Sequence, residues 1–198
     1  MPSNFRVLLI CSVALVPSHD GPFGSFVGTV QAEWLSDNRQ MRLLQDFAYI
    51  DPSGHRWDAP KGSIVDGASI PRLAWTIIGG PFEGRYRNAS VVHDVACVRK
   101  TQKWRDVHRM FYNATRLGGT NSLLAKIMYG AVYHFGPRWA DTTQRLVSSK
   151  DDLLRMRQYI EDRPGVSLES IEALTSAELL RLHPVIRPEM SVSMVDTT

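Results

Sequence analysis

Apolar positions alternate loosely with polar ones in three stretches near the front of the chain and recur at helical spacing through the rest. Phe26–Leu35, carrying Val27, Val30 and Trp34, predicts a first strand, and Met41–Ile50, carrying Leu43, Leu44, Phe47 and Tyr49, a second. Arg56–Val65 predicts a weaker third strand, interrupted by Pro60 and Gly62. Asp37-Asn38 and Asp51-Pro52-Ser53-Gly54 supply the turns between them. The three form a small antiparallel meander.

Beyond Val65 the period changes. Asp66–Arg72 reads as a loop, Leu73–Ile78 as a short helical segment, and Gly79-Gly80-Pro81 as its stop. Asn88–Val98 is apolar nearly all round, with Ala89, Val92 and Ala96 on one face and Val91, Val95 and Val98 on another, which predicts a buried helix. Lys103–Leu117 is amphipathic through Val107, Phe111 and Ala114, and Gly118-Gly119 ends it. Ser122–Phe135 follows, capped by Thr120 or Asn121 and stopped by Gly136-Pro137. Asp151-Asp152 opens a further helix over Leu153–Ile160, Arg163-Pro164-Gly165 closes it, and Ser167–Leu182 reads as one amphipathic helix. Strands followed by helices predict an α+β fold: a small antiparallel β-meander followed by a helical bundle, with a C-terminal helical tail.

Composition narrows this picture. A chain of 198 residues, 43% hydrophobic and 22% charged, has enough apolar material for one moderate core and excludes a disordered chain or a disulfide-stapled miniprotein. Its two cysteines, Cys11 and Cys97, are too few for a zinc Cys-cluster. Residues 1–149 hold 17 Lys/Arg against 11 Asp/Glu, and residues 150–198 hold 6 against 9, so the charge reverses near Lys150. The boundaries expected are 1–22 for a signal peptide or N-terminal strand, 23–149 for an α+β core domain, and 150–198 for an acidic helical tail. Arg6 ahead of the apolar run Val7–Val16 has the layout of a secretory signal and is too short to span a bilayer. A real signal implies a periplasmic or secreted protein; otherwise the place is cytoplasmic or virion-associated. The 18 Arg are scattered, so no specific nucleic-acid partner is expected, whereas the C-terminal helices offer a surface for a protein partner.

Candidate chemistry lies where ionisable residues sit in apolar surroundings. His93-Asp94 falls inside the most apolar helix, where a charge-bearing pair must be hydrogen-bonded, paired or metal-bound. Asp66 and Ser69 stand in the preceding Gly-containing loop, where Asx and Ser side chains also serve as simple turn devices. A metal-free hydrolytic reading takes His93 as base, oriented by Asp94 or Asp66 and acting on water or Ser69. A metal reading gathers His93, Asp94 and His108 around a divalent ion such as zinc, although their spacing matches no standard zinc motif. Cys97 is one helical turn from His93, the spacing of a cysteine nucleophile and its base; a buried cysteine is also ordinary core. Trp75, Trp104, Trp139, Tyr86 and Tyr133 read first as packing.

The order meander, Asp66–Arg72 (DGASIPR), Trp75, Gly80-Pro81, His93-Asp94, then Phe111, Gly118 and Tyr129–Gly136, resembles a phage and bacterial family known as a domain of unknown function, number one-three-five-three. The resemblance covers Phe26 to Trp139. It implies mobile-element ancestry and no agreed activity, and the family pattern carries an acidic residue where this chain has His108.

The leading expectation is a small hydrolase acting on a cell-envelope, peptidoglycan-like substrate through Asp66, Ser69, His93 and Asp94. The alternatives are a phage-derived structural or assembly protein, in which the same residues only lock loop to helix, and a secreted effector or binding module.

Overall fold

The computed structural model describes residues 21–37, 39–67, 69, 84–140, 147 and 149–183. The signal-like run with Cys11, the segment Leu73–Ile78 with Trp75, and residues 184–198 lie outside the described residues.

Each of the three expected strands divides in two. The strands are β1 (Ser25–Val27), β2 (Ala32–Trp34), β3 (Met41–Leu43), β4 (Phe47–Ile50), β5 (Arg56–Ala59) and β6 (Ile64–Val65). They pair antiparallel in two three-stranded sheets, ordered β1-β4-β5 and β2-β3-β6. Each predicted strand therefore leaves one sheet and enters the other. The sequence marks two of the corners: Gly28 at φ 81° between β1 and β2, and Gly62 at φ 85° in the turn between β5 and β6. Register puts Phe47 and Tyr49 of β4 on the core side, 2% and 0% exposed. Phe26 packs on both rings at 5.5 and 5.7 Å.

A 3-10 turn (Gly84–Tyr86) leads into α1 (Arg87–Arg99), followed by α2 (Trp104–Leu117) and α3 (Ser122–Phe135). The tail holds α4 (Lys150–Glu161), α5 (Leu168–Glu172) and α6 (Ser176–Leu182). The last predicted helix is thus two, because Thr175 caps a new start by accepting from the Glu178 N–H. Asn121 caps α3 through the Leu124 N–H at 2.9 Å, and Ser149 with Asp152 forms a capping box on α4.

The elements touch in sequence: α1 contacts β4, β5 and β6 on one side and α2 on the other, α2 contacts α3, and α3 contacts α4 and α5. Being packed from both sides, α1 buries every residue from Ala89 to Val95, together with Cys97. Val98, expected on an apolar face, is instead 73% exposed where the helix ends and leaves its neighbours. Leu153, Met156, Ile160, Ile171, Leu174 and Leu179 of the tail belong to the same buried cluster as the core of α1–α3.

The tail is also tied by polar bonds. Arg109 of α2 pairs with Glu169 at 2.8 Å and with Glu172, and the Tyr129 hydroxyl donates to Glu172 at 2.6 Å. Lys126 donates to the Pro164 carbonyl at 2.7 Å. Gly130 makes the close approach possible, since a Cβ there would lie 2.8 Å from Met156 Sδ and 3.2 Å from Ile171 Cγ2.

Candidate functional site

Consecutive residues on a helix point about 100° apart, and that rotation separates His93 from Asp94. His93 faces α2; Asp94 faces the loop that follows β6. The Asp94 carboxylate accepts the backbone N–H groups of Asp66 (2.9 Å), Gly67 (2.8 Å) and Ser69 (3.2 Å). Gly67, at φ 69°, supplies the left-handed turn that aims these N–H groups inward. Asp94 is 4% exposed, and burial pushes its pKa up, against the pull of the Ser69 hydroxyl and the three N–H donors. Its chemistry in this arrangement is that of a loop anchor.

The side chain of Asp66 turns outward and pairs with Arg39 at 3.0 Å, a half-exposed ion pair. Ser69 is 7% exposed, and its hydroxyl lies near enough to Asp94 and the Cys97 thiol to pull both pKa values down. Asp66 and Ser69 thus meet Asp94 in space, but only Ser69 presents its own side chain to the buried cluster.

On the other side of α1, His93 Nε2 lies 2.9 Å from His108 Nδ1 and 3.6 Å from Cys97 Sγ. Both histidines are 0% exposed and Cys97 is 4% exposed. One ligand atom from each of the three lies within 4.8 Å of the others, so the group can hold a metal ion. Phe111 stacks on His93 at 4.7 Å, and Trp104 stands edge-on to His108 at 5.5 Å. His108 Nε2 lies 3.1 Å from the Pro137 carbonyl, which can only accept; Nε2 therefore carries the proton and Nδ1 keeps its lone pair toward the cluster.

Burial disfavours charge on His93 and Cys97. Burial, and next the neighbouring His108, hold the His93 pKa well below its ordinary value, and burial pushes the Cys97 thiol up to about 12. A neutral imidazole is the ligating form; a protonated thiol is not, and a cation must be present to make it a thiolate.

The metal set expected from sequence was His93, Asp94 and His108. The structure puts Cys97 beside the two histidines and gives Asp94's oxygens to the backbone. The signal for Cys97 was its spacing of one turn from His93. The Pro137 carbonyl has no sequence signal, because it is contributed by backbone. Tyr86, Trp104 and Tyr133 are buried in the core.

Residues 41–132 match the model of the family described as "Protein of unknown function (DUF1353)". Two uncharacterised proteins of Sinorhizobium fredii (strain NBRC 101917 / NGR234) are similar. The protein y4jT is 45% identical over 125 residues, covering 63% of this chain and 35% of the relative. The protein y4iH is 42% identical over 97 residues, covering 49% and 41%. The chain therefore spans well under half the length of these curated relatives. No solved structure matches. Among the described residues, no helix is long and apolar enough to cross a membrane.

Proposed function

We propose that this DUF1353-like domain is a hydrolase built on one divalent ion of the zinc type, held by His93 Nε2, His108 Nδ1 and Cys97 Sγ. The observation that supports it is the meeting of these three donors in a buried site with one imidazole already fixed in its ligating tautomer. Zinc–nitrogen bonds of about 2.0–2.1 Å and zinc–sulfur bonds of about 2.3 Å place tetrahedral ligands roughly 3.3 Å apart for N and N and roughly 3.6 Å for N and S. The observed N–S distance is 3.6 Å and the N–N distance is 2.9 Å, that of a direct hydrogen bond. Loss of that shared proton and an opening of a few tenths of an ångström bring the two imidazoles to the tetrahedral N–N spacing, and Cys97 Sγ already stands at the N–S spacing from His93 while lying within 4.8 Å of His108. Three protein donors leave one coordination position unfilled by protein, the ligand count of catalytic rather than structural zinc. The ion supplies Lewis acidity and lowers the pKa of water. Ser69, beside Cys97, and Asp94, which pins the loop, act as positioning residues. The signal-like N-terminus favours a cell-envelope, peptidoglycan-like substrate.

Asp94's three backbone bonds favour a second reading for part of the cluster, a network that locks loop to helix. The readings separate by experiment. Purified full-length chain, reduced and metal-free, is titrated with zinc and examined by native mass spectrometry, alongside His108→Ala and Cys97→Ser. The hydrolase reading expects one zinc per chain, lost in both variants, and zinc-dependent release of fragments from purified peptidoglycan. A chain that takes no zinc sinks the metal centre. A chain that takes zinc yet leaves peptidoglycan intact removes that substrate.

A further inference from the structure

Round α2, about 200° from His108, lies a second feature that the metal cluster does not use. A cavity of about 460 Å³ opens between the β4–β5 turn and the outer stripe of α2 formed by Asp106, Arg109, Met110 and Asn113. We propose that this cavity is a saccharide-binding pocket for an uncharged, hydroxyl-rich sugar unit, independent of any metal.

Three observations support the assignment. The first is a rigid wall. Asp51 receives the Ser53 N–H (2.9 Å) and hydroxyl (2.6 Å), the His55 N–H (3.0 Å) and the Trp57 indole N–H (3.0 Å), which sets the turn before any ligand arrives. The second is an aromatic wall: exposed His55 stands edge-on at 4.7 Å, with 75° between the rings, to Trp57, which is 7% exposed and backs it from the core, so the imidazole is the ring that meets a ligand. Such surfaces take the C–H face of a sugar ring. The third is a set of planar polar groups with spare capacity. Gln102, Asp106 and Asn113 line the cavity, and among the described residues their side chains make no hydrogen bond or ion pair. Two amides and a carboxylate offer paired donors and acceptors, the complement of neighbouring hydroxyls.

Charge selects the class. Among the described residues lining the cavity the one Lys or Arg is Arg109, and it is already shared between Glu169 and Glu172. Asp51 and Asp106 then disfavour an anionic ligand such as a phosphate or a uronate. The volume lies within the range of small-molecule sites.

The test is a two-dimensional amide NMR titration of the full chain with two neutral probes, the N-acetylglucosamine tetramer and cellotetraose, and one anionic probe, a trigalacturonate. At least one neutral probe is expected to give saturable shifts confined to residues 51–57 and 102–113. Asp106→Ala and Asn113→Ala should each weaken that binding about tenfold, a loss of roughly 1.4 kcal/mol, with unchanged thermal unfolding. Removing metal with a chelator should leave the titration as it was, which keeps this outcome separate from that of the zinc experiment. No shift at these residues up to concentrations on the order of 10 mM overturns the assignment. So does preference for the anionic probe, or binding that survives both substitutions.

Discussion

α2 separates two polar regions that obey opposite rules. On its inner side His93, Cys97 and His108 are dry, and each polar atom found there meets another polar atom or a backbone group. On its outer side Asp106 and Asn113 face a cavity open to water and hold nothing. Burial explains the contrast. A polar group removed from water without a partner costs about 1–3 kcal/mol, so the inner side is satisfied at the expense of freedom. The outer side bears no such cost and can leave its hydrogen-bonding capacity for a ligand. Substitutions inside should therefore be read in stability, and substitutions outside in binding.

The largest expected effect is at Asp94. Asp94→Ala strands three loop N–H groups and should lower unfolding free energy by about 3 kcal/mol or more in urea denaturation. A loss below about 1 kcal/mol would mean that water reaches the loop and that the inner side is not dry. Next is His108→Ala, which empties ring volume beside Trp104 and His93 and should cost about 2–4 kcal/mol. In differential scanning fluorimetry this variant should also lose the zinc-dependent rise in Tm that the metal centre predicts for the parent chain.

Gly130→Ala, remote from both sides, should cost about 1 kcal/mol: crowding against Met156 and Ile171 is partly offset by the better helix propensity of alanine. Equilibrium chemical denaturation would show it; a gain in stability would mean that the tail yields easily. Asp51 gives a pH signature. Burial opposes its charge, but the Ser53 hydroxyl, the Trp57 indole and two backbone N–H groups outweigh it and hold the pKa below the usual carboxylate value. The stability it supplies is present above pH about 4 and lost as pH falls below that. Asp51→Asn should then be less stable than the parent chain at neutral pH, with the two curves converging in acid. Smallest is Asp106→Ala, within about 0.5 kcal/mol in thermal melts because its side chain is exposed and unpaired.

The helices were legible in the sequence because their cues are local: Asn121 before α3, Gly118-Gly119 after α2, and the acidic pair opening α4. The sheet corners were less so, since strand period alone does not tell a continuous strand from one that changes sheet at Gly28. The site was legible as a set of residues and not as a geometry. His93, Asp94, Ser69 and His108 were all marked by polarity in apolar surroundings. Which of them would face which depended on helix rotation and on where the β6 loop lands. The outer cavity carried no signal, because Asp106 and Asn113 look like any solvated helix face until the β4–β5 turn stands opposite.

Arg109 reaches across to Glu169 and Glu172 while its own helix carries His108 one residue earlier. A protease cut in the Asp162–Val166 turn would therefore release no peptide at once. The severed C-terminal piece, held by Ile171, Leu174 and Leu179 as well as by those charges, should co-elute with the rest of the chain on a sizing column and part from it only in denaturant.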